Sequence, residues 1–407
     1  MAAPEPAPAI DGTADRPAIR LAPGRHKRVR AGHPWAYSNE IAMTREAKAL
    51  PPGSIVRLLD SADGPLGAAM FNPRPLISAR LLASDPDTAI DREFLSDRLA
   101  SALALRERLF DAPYYRLAWS EADGLPGLVL DRYGDTAAAQ LNTAGMDRLA
   151  EELAEALYET VGVRSIVFRN DTAARALEGL PSQTSQAGAP VEGPVEIVEN
   201  GVRFVVDLTA GQKTGWFYDH RENRARVAAL ARDLDVLDAY SYVGGFGIQA
   251  AAAGARSALC LDRSEPALDL AAESAKRNGV AGACGFVRGD VFRTLEEFAR
   301  EGRRFDIVVC DPPAFVKSRK DMASGLKGYR KLIRLAAGCV RAGGFLFAAS
   351  CSQQVDAGQF AETLRGALRG LRRAGRVLHR GGAGSDHPIH PYLPESAYLK
   401  AVLLQLD

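Results

Sequence analysis

Val236-Leu237-Asp238-Ala239-Tyr240-Ser241-Tyr242-Val243-Gly244-Gly245-Phe246-Gly247 reads as a short apolar strand that ends in an acid and runs through a polar turn into clustered glycines. Outward from it, apolar runs recur at Ala258-Leu259-Cys260-Leu261, Phe286-Val287, Ile307-Val308-Val309-Cys310, Phe345-Leu346-Phe347-Ala348-Ala349 and 401–404. Helical stretches separate them, one of which, 267–278, stops at the helix-ending pair Asn278-Gly279. This alternation predicts a mostly parallel, doubly wound α/β sheet of Rossmann type over 195–407. Such a sheet holds ligands beyond the C-terminal ends of its strands.

The polar motifs fall at those ends. Gly245-Phe246-Gly247-Ile248-Gln249-Ala250 fits a loose dinucleotide pattern. A pyrophosphate, however, needs glycine directly at the strand end, and Asp238 stands there, with Gly244 six residues later. A carboxylate at that place repels pyrophosphate and suits the ammonium and sulfonium of S-adenosyl-L-methionine. The bland alternative is a glycine-rich turn and nothing more. Asp262, 24 residues after Asp238, stands where an acceptor for ribose hydroxyls is expected. Asp290, within Gly289-Asp290-Val291-Phe292, is placed to meet an adenine amino group. Either acid alone is as readily a helix N-cap; three at successive strand ends favour a cofactor.

Asp311-Pro312-Pro313-Ala314-Phe315 closes the fourth strand. Pro312 restricts Asp311 to extended backbone, and the proline pair forms a rigid exit able to press Phe315 or backbone carbonyls towards a base. Cys351, in Ser350-Cys351-Ser352, follows 40 residues after Asp311 at the end of the next strand. A thiol beside such a turn fits covalent attack on a pyrimidine. Carbon 5 of cytosine is a poor nucleophile; thiolate addition at carbon 6 makes an enamine-like system that attacks an electrophilic methyl group. Asp311 near ring nitrogen 3 would stabilise the adduct, and proton loss from carbon 5 would expel the thiol. A free thiol ionises at about pH 8.5, so a neighbouring cation helps. Lys317, Arg319, Lys320, Lys327, Arg330 and Lys331 follow the turn and also suit phosphates, or form only a solvated helix face. Cys310, by strand alternation, points away from Asp311 into the core.

The region 18–90 carries short strands at Ile19-Arg20-Leu21, 54–59, 66–71 and 77–82, parted by Pro51-Pro52-Gly53 and Asp63-Gly64, which predicts a small β-barrel. Between Arg20 and Lys48 lie seven basic residues against two acidic ones, among them Arg25, Lys27, Arg28 and Arg30, with His33, Trp35 and Tyr37 interleaved. That pattern suits RNA backbone contact and base stacking, or a plain solvated strip. The region 91–194 reads as α+β. It opens with an amphipathic helix carrying Phe94, Leu95, Leu99 and Leu103 and continues through a strand at Val129-Leu130-Asp131, a helix at 146–161 and a strand at 163–168. A Ser/Gln/Gly/Pro-rich linker or loop at 181–194 closes it. The Ala/Pro-rich segment 1–17 lacks the layout of a signal peptide and is expected to be a disordered tail.

At 407 residues the chain predicts two or three domains, and 47% apolar with 25% charged residues is ordinary for a soluble protein. The net charge of +1 means that nucleic-acid binding must rest on local patches. No apolar run of about 18 residues exists, so no membrane partner is expected. The five cysteines (Cys260, Cys284, Cys310, Cys339, Cys351) show neither zinc spacing nor a disulfide framework, which points to the reducing cytoplasm. His387 and His390 lack a third ligand, so no metal is expected.

These motifs together resemble the bacterial ribosomal RNA large subunit methyltransferase I family, which forms 5-methylcytosine in 23S ribosomal RNA. Gly32-His33-Pro34-Trp35 with Ser38-Asn39-Glu40 resembles its PUA domain, and Glu121-Ala122-Asp123-Gly124-Leu125-Pro126-Gly127-Leu128 its central domain. The stretch 210–224, Tyr240 to Phe246, Asp311 to Phe315 and Ser350-Cys351-Ser352 resemble its catalytic motifs; Asp386-His387-Pro388-Ile389-His390 and 394–400 resemble its C-terminal signature. The resemblance implies an RNA-binding PUA-like domain at 18–90, a central domain at 91–194 and a methyltransferase domain at 195–407. It further implies Cys351 as nucleophile, S-adenosyl-L-methionine held by Asp238, Tyr242, Gly244, Gly245, Phe246, Asp262, Arg263, Asp290, Asp311, Lys213 and Tyr218, a 23S ribosomal RNA partner and a homodimer. Three other readings stand beside it: methylation of an exocyclic amine or purine nitrogen with Cys351 structural, a non-catalytic RNA-binding or ribosome-assembly protein, and a nicotinamide oxidoreductase.

Overall fold

The computed structural model describes residues 16–211 and 214–407. The expected disordered tail lies almost wholly outside the described residues, and Lys213 lies outside them too. The chain forms two compact units, each built from more than one stretch of sequence.

The first unit runs through Gly193 and also takes in Thr214 and Asp386–Ser396. Strands β1 (Ala18–Arg20), β2 (Trp35–Tyr37), β3 (Ser54–Leu59), β4 (Pro65–Phe71) and β5 (Ile77–Ala83) form one sheet in the order β1-β3-β4-β5-β2. Strands β6 (Tyr114–Trp119), β7 (Leu128–Tyr133), β8 (Thr136–Leu141), β9 (Ser165–Asn170) and β10 (Gln183–Gly188) form a second, in the order β10-β9-β8-β7-β6. The helix Arg92–Leu109 begins where the Asp91 carboxylate accepts from Phe94 N at 3.0 Å, a cap worth about 1 kcal/mol. Its Leu95 and Leu99 are fully buried and share one apolar core with Ile55, Met70 and Leu82 of the first sheet and Leu117, Leu130 and Ile166 of the second. The stretches read as two separate domains, 18–90 and 91–194, thus pack around common side chains. The expected linker at 181–194 instead contains β10, an exposed edge strand antiparallel to β9. Its ladder uses backbone groups alone, so no apolar alternation betrays it.

The buried polar centre of this unit is a cationic knot. Arg106 donates to both oxygens of Asp123 at 2.6 and 2.8 Å, to Arg116 O at 3.0 Å and to Asp386 O at 2.9 Å. Arg116 in turn makes a two-point pair with Asp131 at 2.6 and 3.0 Å, and its amide donates to Asp386 Oδ2. The segment around Asp386 is thereby fixed to strands far earlier in the chain.

The second unit opens with the hairpin β11 (Val195–Glu199) and β12 (Val202–Val206). Its main sheet contains β13 (Asp235–Ala239), β14 (Ser257–Asp262), β15 (Cys284–Arg288), β16 (Phe305–Cys310), β17 (Val340–Ser350), β18 (Gly375–Gly381) and β19 (Lys400–Leu406), in the order β15-β14-β13-β16-β17-β19-β18. The strands β13 to β17 pair in parallel, whereas β19 runs antiparallel to β17, and β18 antiparallel to β19. Side chains alternate between two apolar faces: Leu237, Val308, Cys310, Leu346 and Ala348 pack on one, and Val236, Ile307, Val309 and Phe347 on the other. Burial on both faces is why these strands read as continuous apolar runs. Strand order reverses between β13 and β16, and the loops that leave these two strands open the crevice where doubly wound sheets bind ligands. Strand β18 was not legible: its residues are exposed, and a register irregularity falls between Val377 and His379.

Arg106→Met should destabilise the first unit by about 3–5 kcal/mol, because it leaves Asp123 buried without its cation. Urea unfolding would measure this, and a loss under about 1 kcal/mol would show that the knot contributes little.

Candidate active site

The loop after β13 turns through three left-handed residues, Tyr240 (φ 65°), Tyr242 (φ 51°) and Gly244 (φ 78°). Positive φ is costly for tyrosine, and hydrogen bonds hold the turn in place. Asp262 Oδ2 accepts from Tyr242 N at 2.8 Å, while its Oδ1 accepts from Ser264 N at 2.9 Å. Tyr242 donates its hydroxyl to Gly215 O at 3.1 Å, and its ring meets Phe217 edge-on. The helix Gly245–Ala252 starts directly from Gly244, and Asp238 Oδ2 accepts from Gly247 N at 2.8 Å.

That geometry revises the reading of Asp238. The carboxylate is 1% exposed and faces a backbone amide inside the loop rather than open space. Burial first, then the charge of Asp311, pushes it up to about 7, against the pull of the Gly247 amide. Phe246 likewise faces inward, packed on Phe347 and under Arg224. Tyr218 is fully buried beside Arg221. Gly244 and Gly245 are buried at the turn; Arg263 is exposed past the end of β14. Asp290 is exposed and caps the helix Val291–Arg300 by accepting from Arg293 N at 3.1 Å.

Asp311 leaves β16 on the face opposite Cys310, which is buried in the core with its thiol pushed well up by burial. Behind Asp311 stands a residue that sequence reasoning missed. His220 Nε2 lies 3.1 Å from Asp311 Oδ2, and its Nδ1 lies 3.1 Å from Asn223 Nδ2. The imidazole is buried against the edges of Phe246 and Phe347. Burial opposes its protonation, but the charge and hydrogen bond of Asp311 outweigh that and hold it above the usual histidine range.

Cys351 follows β17. Its Sγ lies 3.9 Å from Pro312 O, so the thiol faces the proline turn. Both flanking serines are buried. Ser352 Oγ accepts from Val316 N at 3.1 Å and shares a 2.8 Å hydrogen bond with Tyr329 OH. The Asp-Pro-Pro loop and the cysteine loop are thereby joined through one hydroxyl. Phe315 differs from expectation: its ring turns inward, 4.7 Å from Tyr329 and 6.1 Å from Phe292, because the helix Met322–Gly338 supplies an apolar cover. Lys317, Lys320, Lys327 and Arg330 are all exposed after the turn.

In the first unit, Arg25 and Lys27 are exposed. Arg28 donates to Glu40 at 2.6 Å and lies over Tyr37, and Arg30 pairs with Asp60. Trp35 donates its indole N–H to Glu121 at 2.7 Å, with Arg80 over its ring. These two contacts fix the orientation of the tryptophan ring.

Comparison with known proteins agrees with this layout. A family model for S-adenosylmethionine-dependent methyltransferases matches residues 163–404, and one for PUA-like domains matches 19–84. The chain is 34% identical over 392 residues to ribosomal RNA large subunit methyltransferase I of Alteromonas mediterranea, covering 95% of this chain and 98% of that one. It is 36% identical over 387 residues to the protein of the same name from Aliivibrio fischeri, covering 94% and 97%. Among solved structures, a Streptococcus mutans protein described as a SAM-dependent methyltransferase superposes with a TM-score of 0.81 at 20% identity, over 96% of this chain and all of that one. A methyltransferase complexed with SAH gives a TM-score of 0.82, also at 20% identity, with the same coverage. These two share the fold.

A raised folded-state pKa means that the His220–Asp311 pair stabilises fully below the unfolded histidine value and loses that stabilisation as pH rises through the higher folded value. The stability gap between wild type and His220→Gln should therefore narrow from pH 6 to pH 9, by about 1.4 kcal/mol for each tenfold gain in proton affinity that folding gives the imidazole. Thermal unfolding at both pH values measures it, and a gap independent of pH would remove the charge interaction.

Proposed function

Because the chain belongs to the ribosomal RNA large subunit methyltransferase I family, we propose that it methylates carbon 5 of a cytosine in 23S ribosomal RNA, with Cys351 as nucleophile. S-adenosylmethionine is the cofactor of this family and supplies the electrophilic methyl group. The donor set fits it. Ser241 Oγ is buried in the loop after β13 and has no hydrogen-bond partner among the described residues. Asp262 and Asp290 stand at adjacent strand ends, where they suit ribose hydroxyls and an adenine amino group. Tyr242, Gly244, Gly245 and Arg263 complete the holding surface, with Asp238 and Phe246 bracing it from below.

The observation that carries the reading is Cys351 Sγ facing Pro312 O at 3.9 Å, directly beside Asp311. The thiolate adds to carbon 6 of the ring, forming a C–S bond and moving electron density to carbon 5. As the adduct forms, Asp311 passes a proton from its hydrogen-bonded pair with His220 to ring nitrogen 3, which neutralises the charge there. Once carbon 5 carries the methyl group, it loses its proton to water; the electron pair re-forms the ring double bond, the C–S bond breaks to return the thiolate, and ring nitrogen 3 gives its proton back to Asp311. Lys317, Lys320, Lys327 and Arg330, with Arg25 and Lys27 of the first unit, grip the RNA backbone.

Cys351→Ala should still bind S-adenosylmethionine in calorimetry but yield no 5-methylcytosine, read by nucleoside mass spectrometry of ribosomal RNA. A methylated cytosine from that variant, or a methylated exocyclic amine from wild type, would replace the covalent route. Asp311→Ala should lose at least about 100-fold in turnover with little change in cofactor affinity; full turnover would place Asp311 outside the chemistry.

A further inference from the structure

Lys400 is a buried cation that the mechanism above leaves unused. Strand β19 begins with it, and the antiparallel register sets it directly opposite Ser350, next to Cys351. It is 8% exposed. Its Nζ donates to Ser352 O at 2.6 Å and to Tyr398 O at 2.7 Å, so the ammonium is anchored on the loop that carries the thiol. Two carbonyl oxygens hold it, and neither carries a formal charge. A buried cation without a carboxylate at its tip is costly unless a nearby anion forms when it is needed.

We propose that Lys400 is a positioning residue whose ammonium keeps Cys351 in the thiolate form. This rests on Cys351 being the nucleophile. A thiol poised to attack at neutral pH needs a cation beside it, and the register delivers one from the neighbouring strand. The surroundings agree. Burial draws Lys400 down to about 8, while Cys351 and then Asp356 pull it back up. Tyr329, a titratable group that reaches Ser352 Oγ from the helix Met322–Gly338, is held in the neutral form by burial, which raises it.

The test is the pH profile of Cys351 alkylation by iodoacetamide, followed by mass spectrometry of the peptide that contains it, so that the other cysteines do not interfere. In Lys400→Met the midpoint should rise by about one pH unit, which slows alkylation about tenfold at pH 7. The plateau rate at high pH should be unchanged, and Lys400→Arg should restore most of the midpoint. An unmoved midpoint, or a rate lowered equally at every pH, overturns the proposal. Should Lys400→Met not fold, the reciprocal measurement decides: in Cys351→Ala, Lys400 should titrate lower than in wild type, read by reductive methylation of its amine, and an unchanged titration overturns the proposal. Loss of 5-methylcytosine in Cys351→Ala judges the nucleophile separately, since alkylation needs no RNA.

Discussion

The hydroxyl of Ser352 is the constraint on which the catalytic arrangement depends. By accepting from Val316 N and sharing a hydrogen bond with Tyr329 OH, it ties together the loop after β16, the loop after β17 and the helix Met322–Gly338. In a buried setting such bonds resist exchange with water, since breaking one strands a polar group at a cost of about 1–3 kcal/mol. The loops that carry Cys351 and Asp311 are therefore held together through a neighbouring hydroxyl. For the chemistry proposed above such positioning matters, since even small misplacement is costly in rate.

The parallel sheet and the strand-end acids were legible because their signals are local. An apolar run buried on both faces, followed within a residue or two by a polar motif, is written in consecutive positions. The sulfur facing the proline turn was likewise anticipated from two adjacent strand ends. His220 and Lys400 were not, because nothing near them in sequence marks their partners; Lys400 reaches a carbonyl 48 positions away. A histidine within 210–224 was visible, but only the fold brings Asp311 to it. The basic run after the Asp-Pro-Pro turn is close to the thiol's partner loop in sequence, yet a strand much later in the chain carries the cation anchored on the thiol loop.

A side chain's direction is set by its cover. Phe315 and Phe246 turn inward because a helix and a neighbouring ring offer apolar surface there, and Trp35 is claimed by Glu121. Asp238 is drawn under its own loop by an amide nine residues ahead. In each case the residue type suits ligand contact, and the fold also gives the side chain a partner within the protein. The edge strands β10 and β18 escaped notice for the converse reason, since strands exposed to water need no apolar pattern.

The order of strands in the second unit has a consequence for biosynthesis. In the finished sheet β19 lies between β17 and β18, yet both neighbours precede it in the chain, and the segment Asp386–Ser396 that separates β18 from β19 packs with the other unit. A nascent polypeptide thus carries an open edge on β17 and an unpaired ribbon at 375–381 until residues 400–406 leave the ribosome. Unsatisfied edges of that sort invite pairing with other chains.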